Sequence, residues 1–130
     1  TVTLWGFQSP EHHNANSFQM ILESPSGTKV ILWNDQFGTT DWNAPVDIVF
    51  DDAAATTLTN PFASGTFQPS NGGIQPALTI PGDAPQPPYL FTLAAFVGEP
   101  IFGSWSLWIC QRFNAQNEIS GGFELTITPV

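Results

Sequence analysis

The sequence predicts an all-β domain, an antiparallel β-sandwich, on three observations. Apolar residues recur at every second position in short runs, turn-forming clusters separate those runs, and no long stretch carries a helical repeat. Twelve Pro and 11 Gly in 130 residues also make long helices scarce. The length is that of one domain, residues 1–130, and buries enough surface for a core that needs no covalent staples.

The elements follow in order. Val2 and Leu4 open the alternation. Phe18, Met20 and Leu22 alternate with Gln19, Ile21 and Glu23, predicting a strand over 17–23. Ser24-Pro25-Ser26-Gly27 then supplies a hairpin connection to a strand over 28–33, with Val30 and Leu32 on one face. Val46, Ile48 and Phe50 alternate with Asp47, Val49 and Asp51. Asp52 to Thr57 is the one helical candidate, a single turn of alanines that Asp52 would cap. Asn60-Pro61, Asn71-Gly72-Gly73 and Pro81-Gly82-Asp83 mark turns, and residues 69–89 read as a long Pro/Gly-rich surface loop. Trp105, Leu107 and Ile109, then Phe123, Leu125 and Ile127 after Gly121-Gly122, complete the pattern. These six are expected to be buried on neighbouring strands, because successive strand side chains point to opposite faces and one face must meet the core.

Charge narrows the partners. Eleven acidic residues face only Lys29 and Arg112, a net charge of -9, which repels phosphate backbones and anionic lipid. Nucleic acid and membrane surfaces are therefore poor partners. The longest nearly apolar run, Tyr89 to Val97, is far short of the roughly 20 residues of a membrane span. One cysteine, Cys110, allows no internal disulfide. With no signal peptide and a start at Thr1, the chain reads as a mature or excised piece of a secreted protein.

Catalytic motifs are absent: there is no nucleophile elbow, zinc-protease helix, phosphate loop or dinucleotide fingerprint. His12 and His13 are adjacent, so an extended backbone points them apart, and with Cys110 they are too few for a closed zinc site. Calcium is the better metal. Asp35, Asp41, Asp47, Asp51 and Asp52 cluster at predicted strand ends and loops, where backbone carbonyls complete a carboxylate set. Asp51, Asp52 and Asp47 are the candidate ligands; the plain alternative is a solvated acidic face. Trp5, Trp33, Trp42, Trp108 and Tyr89 offer a second reading, a stacking platform for carbohydrate. Trp33, out of phase with Val30 and Leu32, and Trp42, in a loop, are its best members, although sandwich cores also use tryptophan freely.

Five blocks in order resemble the P domain (P/Homo B domain) of the proprotein convertases. The first is Ser17 to Thr28, an alternating strand followed by Ser-Pro-Ser-Gly-Thr. Phe50-Asp51-Asp52-Ala53 and Ser64-Gly65-Thr66-Phe67-Gln68-Pro69 come next. Leu93-Ala94-Ala95-Phe96-Val97-Gly98 with Gly103-Ser104-Trp105-Ser106-Leu107, and Gly122 with its strand, complete the set. The blocks span about residues 12 to 128. The sequence departs from the family at Ser17 and Gln111, where aspartate is usual, and in a longer loop over 70–89. The resemblance implies a jelly-roll-like, galactose-binding-like sandwich attached C-terminal to a subtilisin-like serine protease. Such a domain stabilises or regulates the neighbouring catalytic domain and has no catalytic residue of its own. A carbohydrate-binding or adhesive module of an extracellular protein is the alternative.

Overall fold

A computed structural model describes residues 1–11, 18–34, 42–58, 63–70, 83–111 and 116–129. Within them the alternating runs become eight strands: β1 Val2–Glu11, β2 Phe18–Glu23, β3 Lys29–Asn34, β4 Trp42–Phe50, β5 Gly65–Phe67, β6 Ser106–Gln111, β7 Gln116–Ile119 and β8 Phe123–Leu125. The only helical element described is one 3-10 turn, Leu93–Phe96. The chain is all-β, as the alternation predicts.

The strands form two sheets. In the larger, β1 is central, with β4 and then β5 on one side and β7 and β8 along the other. The smaller runs β3-β2-β6, with β2 in the middle. Val2, Leu4, Phe7, Ile48 and Phe50 from the first sheet pack with Met20, Leu22, Val30, Leu32 and Trp33 from the second, and Leu58 joins them. The two sheets thus face each other across one apolar core, which is why a one-residue slip of either would be costly.

Two irregularities set the register. Leu4 faces Ile48 and Phe7 faces Val46, so Trp5 and Gly6 together oppose Asp47. This bulge frees the Gly6 N–H from the ladder, and Asp47 Oδ1 accepts it at 2.8 Å. Gly6 sits at φ +67°, the left-handed region that favours glycine, and a Cβ there would push the Ser120 hydroxyl aside. The second lies between β2 and β3. Met20 faces Trp33 while Ile21 faces Ile31, leaving Leu32 as the extra residue. The slip resets the two-residue phase and turns Trp33 toward the core.

Several expectations are corrected. The sandwich is not wholly antiparallel, since β5 runs parallel to β4. The connection over 51–64 is long enough to bring the chain back in the same direction. Asp52–Thr57 forms turns rather than a helix. Trp105, Leu107 and Leu125 are half-buried against the core, but Ile109, Phe123 and Ile127 are exposed. Nor do the two groups share a sheet: β6 edges the smaller one and β8 flanks β1 in the larger. Edge position explains the exposure, because a strand paired on one side has no neighbour to close over its outer flank. Asn60-Pro61 and the 71–82 part of the Pro/Gly-rich loop lie outside the described residues, while residues 83–89 hold a turn and bends and no strand.

Candidate functional site

Each candidate calcium ligand has a structural partner. Asp47 holds the Gly6 bulge through Oδ1, while its own N–H donates to Ser64 Oγ at 3.0 Å. Asp51 Oδ1 accepts the Ala53 N–H at 2.8 Å, closing a local turn. Asp52 uses both oxygens: Oδ1 accepts from Leu93 N–H at 2.8 Å and Oδ2 from Ala94 N–H at 2.7 Å. It does cap a helical turn, but one 41 residues on rather than its own. Asp52 thereby spends one acceptor position of each oxygen on a charge-assisted bond to a backbone N–H group. Among the described residues no group of three or more His, Cys, Asp or Glu could hold a metal ion. Asp35, Asp41, His12 and His13 lie outside the described residues.

The aromatic platform loses its first member. Trp33 is 1% exposed and belongs to the core cluster, so it cannot stack on a sugar. The cause is the bulge at Leu32, which no two-residue count reveals. Trp42 is the first residue of β4, opposite Ser9, rather than a loop residue; its side chain is outside the described set. Trp108 is half-buried and donates from Nε1 to Glu23 Oε2 at 3.1 Å. Trp5, within the bulge, is exposed. Cys110 is buried and free, and burial pushes its thiol up, away from the reactive thiolate.

An apolar groove of about 650 Å³ opens among the described residues. Val2, Leu93, Phe96, Trp105, Leu125 and Ile127 are among the side chains that line it. Phe96 and Trp105 meet edge to face with centroids 5.0 Å apart, a geometry that suits the ring quadrupoles and fixes this wall. On the rim, Val97 is 69% exposed and Ile127 39%; Ile101 is exposed as well, and Phe102 beside it reaches 86%. The lining draws on Leu125 at the end of β8 with residues 126–129, and on the segment 93–101. Both ends of the described chain come together here. Thr1 and Thr126 exchange two hydrogen bonds, N–H of each to the carbonyl of the other, at 2.9 and 3.0 Å.

A single carboxylate, Glu99, interrupts the apolar lining. It is tied to the β2–β3 hairpin by a relay of hydroxyls. The Thr28 N–H donates to Ser24 Oγ at 3.1 Å, Ser24 Oγ lies 3.0 Å from Ser26 Oγ, and Ser26 Oγ donates to Glu99 Oε2 at 2.6 Å. Thr28 Oγ1 donates to Glu99 Oε1. Partial burial pushes the Glu99 carboxyl up, but the hydroxyls of Ser24, Ser26 and Thr28 outweigh it and hold the group below its ordinary value.

Sequence reasoning missed this groove. Leu90, Phe91, Val97, Ile101 and Phe102 are exposed within a stretch that is rich in apolar residues yet lacks two-residue alternation. That missing period was the available signal. Compared with family models, curated proteins and solved structures, the chain matches none.

Proposed function

We propose that the domain is a non-catalytic accessory module of a secreted multidomain protein, docking through this groove onto a neighbouring domain of its own chain. The observation that carries the reading is the groove's position: an open apolar surface lies beside both ends of the described chain. A domain attached at either end would emerge next to it, so docking would be intramolecular and favoured by a high effective concentration. Contiguous exposed apolar surface marks sites of interaction on a protein.

The resemblance to P domains names the neighbour: a subtilisin-like serine protease, stabilised or regulated by a jelly-roll-like, galactose-binding-like sandwich. It rests on the five sequence blocks and on analogy of fold, and the site argues only for docking. In the carbohydrate alternative Trp33 has no part, because it is buried.

The test is made in the longer protein encoded by the surrounding reading frame. Ile127→Asp and Ile101→Asp should shorten the thermal half-life of the attached enzyme far more than they reduce its turnover at low temperature. Unchanged half-life in both variants would overturn docking through the groove.

A further inference from the structure

We infer that the groove receives an extended segment of a partner polypeptide in which apolar side chains flank one lysine or arginine, the cation resting on Glu99. This deepens the docking reading and rests on it. Three features select that occupant.

The first is charge. Glu99 is the one ionisable side chain in the lining, and among the described residues only hydroxyls and no cation engage it. The chain has two basic side chains, of which Lys29 donates its ammonium to the Gln86 carbonyl, and the Thr1 ammonium in the same lining donates to the Thr126 carbonyl rather than to Glu99. Each Glu99 oxygen takes one hydroxyl, which leaves each a further acceptor position, the arrangement a guanidinium fork occupies. A charge left against an apolar wall gains from a partner that brings the opposite sign.

The second is main-chain edge. Among the described residues β8 pairs only with β1, and residues 126–129 carry the chain on as the groove wall. An extended segment laid along this flank could use free backbone groups as well as apolar contacts. The third is the rim. Val97, Ile101 and Ile127 project around the opening, and a small molecule seated on the floor would leave them wet. Flanking side chains of a peptide would cover them.

The experiment is selection of a displayed random short-peptide library on the 130-residue chain. Wild type should enrich apolar peptides with one lysine or arginine among them. Glu99→Gln should keep the apolar enrichment and lose the basic one, and Ile127→Asp should lose both. A resynthesised arginine peptide should bind Glu99→Gln about three- to fivefold more weakly than wild type, as expected for a partly exposed ion pair. On wild type its affinity should fall as ionic strength rises, while that of its alanine analogue should not; this comparison needs no variant. Apolar enrichment without a basic preference, equal affinity for Glu99→Gln, or no salt dependence would overturn the inference and leave docking standing. No enrichment on wild type, or enrichment indifferent to Ile127→Asp, would overturn both.

Discussion

Two flanks of the sandwich treat similar apolar sequence in opposite ways. Along β3 the sheet edge is closed by extended chain. Leu90 bridges Val30 in parallel, with Ile31 N–H to the Leu90 carbonyl and Leu90 N–H to the Lys29 carbonyl, and Ser70 bridges Trp33 farther along. As a result Val30, Ile31, Leu32 and Trp33 are all buried, on both faces of an edge strand. Across the molecule, the flank formed by β8 and the segment 93–102 is left open, and Val97, Ile101, Phe102 and Ile127 face solvent. The chain has loop enough to cover an edge and has used it at β3. Exposure at the second flank is therefore a property of that surface rather than a shortage of covering segments, and it is where a partner would gain most area.

Substitutions that probe each flank should separate accordingly. The largest effect belongs to the closed side. Trp33→Ala should lower unfolding free energy by about 3–5 kcal/mol, because it empties a fully packed site. Urea denaturation measures this, and a loss below about 1 kcal/mol would erase the distinction between the flanks. Asp52→Ala removes the shared acceptor of two backbone N–H groups and should cost about 1–3 kcal/mol; calcium or chelator should not shift the wild-type melting temperature, since among the described residues no group of three or more His, Cys, Asp or Glu could hold the ion. Trp105→Ala, from the half-buried wall of the groove, should cost about 1–2 kcal/mol, roughly half the value of a full burial.

Glu99→Gln comes next, at about 1 kcal/mol or less near neutral pH for an ionised acceptor open to solvent. Its sign with pH is fixed. The folded carboxyl titrates below its ordinary value of 4.5, so its contribution is complete above that value and is lost as pH falls through the lower folded one. Wild type and variant should therefore converge in acid, and a difference that grew on acidification would contradict the hydroxyl clasp. The smallest effect belongs to the open side. Phe102→Ser should change stability by no more than about 0.5 kcal/mol, as a surface substitution does, while weakening docking.

The central strands were legible because their neighbours on either side let alternation decide burial. Val2, Leu4, Met20, Leu22, Ile48 and Phe50 are all in the core that their phase predicted. Ile109, Phe123 and Ile127 obey the same period, yet they lie on strands or extensions at an edge, and edge position is a property of topology that no local pattern carries. Trp33 fails for a different reason: one inserted residue, Leu32, inverts the phase beyond it. Neither β5 nor β7 is legible, since Gly65–Phe67 and Gln116–Ile119 carry no apolar alternation. Of the candidate site, the partners of Asp47, Asp51 and Asp52 are backbone groups up to 42 positions away, which no run of sequence displays. The groove draws on both termini and a non-periodic crossover, so no single window contained it.

The position of β1 also governs how the chain can assemble. The first strand is the centre of the larger sheet: one flank pairs with β4, and the other must wait for β7 and β8, the last strands to be made. During synthesis from the ribosome, residues 2–11 would hold one hydrogen-bonding edge vacant until nearly the whole domain has emerged. Pairing across such separations is slow, because loop-closure entropy is lost before the contacts return it. Nascent chains halted before Gln116 should remain open to chaperones and proteases, and protection should arrive in one late step.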